Sequence, residues 1–164
     1  RMDFVLSQEP QPSNEVITDA KKSKRRRQPK PDASQIVGRR TIIEVKSVTL
    51  HVQGDGPHPR AEFPDTVSER AQKHIKFLTE VAKKGKDDAV MLYLIQRGDC
   101  RSFSPCLDKD PVYCQLVCDA IEAGVKVLPY SCTLEESGRV FLNGLVKLDL
   151  PEKHYSQPAQ KTNK

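Results

Sequence analysis

Residues Thr41–Leu50, TIIEVKSVTL, constrain this chain more than any other stretch. They are mostly β-branched and contain no Gly or Pro, so they predict a strand. Side chains alternate faces along a strand. Ile43 and Val45 therefore point one way, and Glu44 and Lys46 the other. Burying the second face seats a carboxylate and an ammonium side by side. Such a pair is either a same-face ion pair or half of a metal-dependent phosphodiester-cleaving site.

At 164 residues the chain is long enough for one domain with appendages. It opens on Arg1 rather than Met, which reads as a piece of a longer protein. The net charge of +5 suggests a nucleic-acid partner but is unevenly spread. Residues 7–39 hold eight Lys/Arg against four Asp/Glu, a net of +4, and everything else contributes +1. No apolar run reaches the ~18 residues of a membrane span, and no signal peptide is visible. The five cysteines are an odd number and form no CxxC, and no His stands at ligand spacing to them. They read as reduced intracellular thiols rather than a disulfide framework or a zinc site.

Met2–Leu6 is a short strand candidate interrupted by an acid, Asp3. Ser7–Arg39 is rich in Pro, Ser, Asn and basic residues, and reads as a disordered insertion. It contains Lys21, Lys22, Lys24, Arg25, Arg26 and Arg27. That run is either a solvated charge cluster, a phosphate-gripping arm or a nuclear import signal. The central strand is expected over Arg40–Val52, followed by a loop to Pro64. Thr66 and Glu69 fit a capping box. Val67, Ala71, Ile75, Leu78 and Ala82 then recur at helical spacing, with Gly85 as the stop. Arg70, Lys73 and His74 cluster beside that stripe, either as a solvated face or as donors aimed at phosphate.

Ala89–Ile95 is a continuous apolar run, predicting a strand buried on both faces. Asp110-Pro111 starts a second helix with Tyr113, Leu116, Val117, Ala120 and Ile121 inward, and Gly124 ends it. Val125–Leu128 is a further strand, and Arg139–Leu148 a last extended stretch. Pro151–Lys164 is a polar tail. Strand, helix, strand twice over implies an α/β domain with crossovers onto one sheet.

Phosphodiester hydrolysis calls for an ion that polarises phosphate and lowers the pKa of water. Magnesium and similar hard ions take carboxylate oxygens. A neighbouring Lys can steady the nucleophile and the charge growing on phosphorus. Glu44 and Lys46 suit these roles, Asp3 can complete the site if its strand pairs with the central one, and the Val45 carbonyl is a further candidate ligand. The acid-x-Lys pattern alone is weak, since Asp19-Ala-Lys21 matches it inside the insertion. Only Glu44-Val-Lys46 lies on a strong strand that a helix follows.

Several blocks occur together in order: RMDFVL at 1–6, IEVKSVTL at 43–50, Phe63-Pro-Asp65, Arg70 with Lys73-His74, Gln96-Arg97, Asp110-Pro-Val-Tyr113 and AGVKVL at 123–128. In these the chain resembles the sugar fermentation stimulation protein A family, over nearly everything except 7–39 and the tail. The resemblance implies a restriction-endonuclease-like mixed sheet flanked by helices, with a PD-(D/E)xK metal site. It places Asp3, Glu44 and Lys46 in the nuclease-motif roles, with Mg2+ or Mn2+ as cofactor. Asp65, Arg70, Lys73 and His74 fall in the family's following loop and helix. The domain is then 1–150, interrupted by 7–39, and the family's small OB-like barrel would lie upstream of Arg1. Ala71 departs from the family, which often has Gly there, and the basic insertion is not typical of it.

The leading expectation is a metal-dependent nuclease acting on nucleic acid, DNA before RNA, in the cytoplasm or, through Lys21–Arg27, the nucleus. Asp3 and Glu44 bind the ion, Lys46 assists the nucleophile, and Arg70, Lys73 and His74 contact phosphate. The alternatives are a non-enzymatic DNA-binding regulator on a nuclease scaffold, and a structural Glu44–Lys46 ion pair.

Overall fold

A computed structural model describes residues 4–7, 38–53 and 56–151, with backbone alone for 4–7. The strands are β1 (Phe4–Ser7), β2 (Arg40–Val48), β3 (His51–Val52), β4 (Arg60–Phe63), β5 (Asp88–Ile95), β6 (Ser102–Pro105), β7 (Lys126–Leu134), β8 (Val140–Leu145) and β9 (Lys147–Leu148). The helices are α1 (Glu69–Lys84), between β4 and β5, and α2 (Pro111–Glu122), between β6 and β7. Two mixed sheets form, one ordered β1-β2-β5-β7-β8 and the other β3-β4-β6-β9.

β2, β5 and β7 are parallel neighbours, as the strand-helix-strand pattern requires. β1 lies antiparallel on the outer side of β2, with Phe4 opposite Ile43. The central strand is shorter than the sequence suggests. It ends at Val48, and His51–Val52 pair with β4 in the second sheet. The predicted loop to Pro64 contains that strand, β4, which β6 extends in parallel. Both strands have only four residues, too few for periodicity to separate them from loop.

α1 starts two residues later than the Thr66 capping box predicts. Ser68 is the N-cap, with an extended backbone and a side-chain oxygen that accepts from the Ala71 amide. Val67 therefore precedes the helix and is exposed, not part of the stripe. Ala71, Ile75, Leu78, Thr79 and Val81 form the buried face. Burying Ile75 and Leu78 contributes about 1.5–3 kcal/mol each by area removed from water. Gly85 ends the helix at φ 66°, and its amide donates to the Ala82 carbonyl. α2 begins as expected, with the Asp110 carboxylate accepting from the Tyr113 amide and Pro111 opening the helix.

β5 is fully enclosed on one face and partly on the other, where Val90 is buried. Ala89, Met91, Tyr93 and Ile95 are enclosed, whereas Leu92 and Leu94 on the other face are half-buried. Ile43, Val45, Leu128 and Tyr130 share that half-open state. The core lies on the face carrying Tyr93. Its ring meets Phe103 of β6 with centroids 4.3 Å apart and Phe63 of β4 at 5.8 Å, so the second sheet closes the same core.

Candidate functional site

β2 delivers its polar pair to the core face. Ile42, Glu44 and Val48 are buried there, and Glu44 is only 1% exposed. Register sets Glu44 beside Met91 and Lys46 beside Tyr93 on β5. Lys46 Nζ donates to Glu44 Oε1 at 2.8 Å. The same oxygen meets His74 Nδ1, which reaches down from α1. Lys46 Nζ and His74 Nδ1 are 3.3 Å apart. The other carboxylate oxygen, Glu44 Oε2, is buried and has no hydrogen-bond partner among the described residues. An orphaned buried carboxylate oxygen costs several kcal/mol unless something cationic or protic reaches it.

The helix residues separate. His74 turns inward, whereas Lys73 is exposed and stands 3.7 Å from Glu69, an i,i+4 pair on the solvent side. Arg70 is exposed as well. The expected Arg70–Lys73–His74 cluster is thus divided between two faces of α1. The sequence carried a signal for this: Ala71, His74, Ile75 and Leu78 stand at i, i+3, i+4 and i+7, one helical stripe. Asp65 is exposed beyond β4. Val45 lies opposite Leu92 in the β2–β5 ladder. Asp3 and the run Lys21, Lys22, Lys24, Arg25, Arg26 and Arg27 lie outside the described residues.

Sequence reading missed the buried polar layer behind the site. The Tyr93 and Tyr113 hydroxyls are 2.6 Å apart, and both residues are fully buried. Burial pushes both phenols up, and the nearby Glu44 charge adds to the rise at Tyr113. Asp110 ties the two helices together. Besides capping α2, it accepts from the Ser68 amide at 3.0 Å and from Gln72 Nε2 at 3.0 Å on each oxygen. Burial alone would raise Asp110, but the Ser68 and Tyr113 amides and Gln72 outweigh it and hold the carboxyl below its ordinary value.

A cleft of about 220 Å³ opens on the second sheet, between Arg60, Glu62, Ser104, Asp108 and Asp149. It is smaller than the ~300–1,000 Å³ of most small-molecule pockets. Its acids are largely satisfied: Glu62 pairs with Arg60 at 2.6 Å and Asp149 with Lys147 at 2.7 Å. Among the described residues the buried side-chain oxygen without a partner is Glu44 Oε2.

Among the described residues no three His, Cys, Asp or Glu side chains converge as a full cation cage. Glu44 and His74 supply two donors, an oxygen and a nitrogen. That set suits a divalent ion that keeps several waters. No helix among the described residues is long and apolar enough to cross a membrane.

The family model described as "Sugar fermentation stimulation protein RE domain" matches residues 1–138. A sugar fermentation stimulation protein homolog of Nitrosococcus oceani is 47% identical over 96 residues, covering 58% of this chain and 39% of that protein. The homolog of Paramagnetospirillum magneticum is 41% identical over 111 residues, covering 68% and 44%. The solved structure of Pyrococcus furiosus SfsA in complex with Ca2+ is similar at a TM-score of 0.61 and 29% identity, over 67% of this chain and 45% of that one. The chain thus spans about two-fifths of the length of these curated relatives, 39% and 44%. With most of its length matched by the family model, this chain belongs to the sugar fermentation stimulation protein family.

Proposed function

We propose that this chain is a restriction-endonuclease-like domain of the PD-(D/E)xK type that hydrolyses phosphodiesters, in DNA before RNA, with a divalent ion at Glu44. One observation carries the reading. Glu44 is buried on a central strand beside Lys46, and its second oxygen has no partner among the described residues. A bound magnesium or manganese ion supplies positive charge to the phosphate and lowers the pKa of its water. Glu44 would hold such an ion, with Asp3 as the second acid. Lys46 Nζ, 2.8 Å from the same carboxylate, orients the attacking water and offsets charge on the phosphorane oxygens. Arg70 and Lys73, exposed on α1, and the basic run Lys21–Arg27 grip flanking phosphates. The calcium in Pyrococcus furiosus SfsA supports a divalent ion, because Ca2+ and Mg2+ both take oxygen ligands.

The test is cleavage of single- and double-stranded DNA and of RNA with Mg2+ or Mn2+, parent beside Lys46→Ala. Cleavage by the parent alone is expected. Equal cleavage by both would remove Lys46 from the chemistry. The net +4 of residues 7–39 favours a second reading, a DNA-binding regulator without turnover. That reading requires salt-sensitive binding, no cleavage with any divalent ion, and a shallower salt slope once Lys21–Arg27 is deleted.

A further inference from the structure

Three polar heads meet over β2, with two nitrogens on one carboxylate oxygen of Glu44 and none on the other. Lys46 Nζ has only protons to give, and both Glu44 Oε1 and His74 Nδ1 stand within its reach. If Nδ1 carries a proton, it and Lys46 both donate to Glu44 Oε1, which can accept the two. If Nδ1 carries none, it can accept from Lys46, but its lone pair then faces the Glu44 oxygen. In neither tautomer does any of these contacts reach Glu44 Oε2. Glu44 Oε2, nearly solvent-free, has no partner among the described residues to relieve it. A cation bound by the Glu44 carboxylate and an unprotonated Nδ1 would give Oε2 the partner it lacks, leaving Lys46 to turn outward to water or phosphate.

We infer that His74 Nδ1 is a metal ligand alongside the Glu44 carboxylate, and that this nitrogen makes the site select borderline transition ions over magnesium or calcium. The inference rests on the metal-site reading above and adds the identity of a ligand. Imidazole is a borderline donor, whereas Mg2+ and Ca2+ prefer oxygen, so one ring nitrogen shifts preference toward Co2+, Ni2+ and Zn2+. The fold places the group for this role. His74 shares a helical stripe with Ala71, Ile75 and Leu78, all of them buried, so packing fixes its direction. Its side chain is 14% exposed and that of Lys46 13%, so both keep some contact with solvent.

The experiment is calorimetric titration of the whole chain with Co2+ and with Mg2+, alongside the visible absorption of bound Co2+. Parent, His74→Ala, His74→Gln and Glu44→Gln are compared, each first shown folded by circular dichroism. The parent is expected to bind one Co2+ more tightly than Mg2+. His74→Ala should weaken Co2+ by about tenfold or more, the usual scale for disturbing a metal's ligand set, and weaken Mg2+ much less. His74→Gln presents an oxygen of similar reach, so it should keep Mg2+, lose the Co2+ preference and alter the absorption band. Glu44→Gln should lose both ions, which separates this site from surface histidines. Unchanged Co2+ affinity and absorption in both His74 variants would overturn the ligand and leave the metal-site reading standing. A parent that binds neither ion overturns both.

Discussion

The Tyr93 and Tyr113 hydroxyls, 2.6 Å apart, join the central sheet to α2 through a hydrogen bond sealed from solvent. One hydroxyl donates and the other accepts, so removing either strands its partner in an apolar layer. Tyr93→Phe and Tyr113→Phe should each cost about 1–3 kcal/mol, and the double variant less than the sum. Urea denaturation of the four proteins checks this. Additive losses would mean that the hydroxyls do not depend on each other.

Asp110 makes stability depend on pH at the acid end. Its folded pKa lies below the ordinary 3.8, so its contribution is complete above that pH and is lost as pH falls through the folded value. Asp110→Asn keeps one acceptor but forfeits the charge-assisted bonds to Ser68, Tyr113 and Gln72. It should cost about 1.5–3 kcal/mol at neutral pH. The difference from the parent should shrink below about pH 3.8. A pH series of melting curves gives the answer, and a constant gap down to pH 2 would count against it.

Lys46→Ala removes the ammonium from a carboxylate that is 1% exposed. Breaking one side of a buried pair costs about 3–5 kcal/mol when the other charge stays behind. A loss toward the lower end is expected, because Lys46 keeps some solvent contact. Adding Glu44→Gln should restore most of it. If the double variant is no more stable than Lys46→Ala in denaturant titrations, the isolated charge is not the cause.

Gly98 sits in the turn after β5, against β7. A Cβ there would lie 2.5 Å from Thr133 Oγ1 and 3.4 Å from Asn143 Nδ2, which hydrogen-bonds the same hydroxyl. Gly98→Ala should therefore destabilise by about 1–3 kcal/mol through overpacking. Thr133→Ala in the same chain should relieve it. Melting temperatures of the two single variants and the double decide whether the clash is the cause.

The strands that matter for the site were legible because they are long or carry strong chemistry. β2 alternates over Ile43–Lys46, and the opposed placement of Ile43/Val45 and Glu44/Lys46 follows from geometry alone. α2 was legible from Asp110-Pro111, whose cap and fixed φ act locally. The start of α1 was not, because Thr66 and Ser68 are both competent caps and the choice is made 42 residues away, where Asp110 takes the Ser68 amide. The second sheet was hidden for a similar reason: strands of two to four residues are held by their partners, not by their own pattern. The partial exposure of Leu92 and Leu94 on the outer face of β5 could not be read either. Leu92 and Leu94 look fully buried in sequence, and their exposure depends on what else covers the sheet. His74 was misplaced beside the stripe instead of on it, because a polar residue at an inward position looks like surface until its partner is known.

Asp110 holds the first turns of both helices with a single carboxylate: the Ser68 amide and Gln72 of α1, and the Tyr113 amide of α2. Neither helix can fray at its start without stripping a partner from the other. In amide exchange the Ser68 and Tyr113 hydrogens should therefore open together, as one cooperative unit with a shared free energy. His74 and Tyr113 are carried by those two helices, so the groups around Glu44 are retained or released in concert.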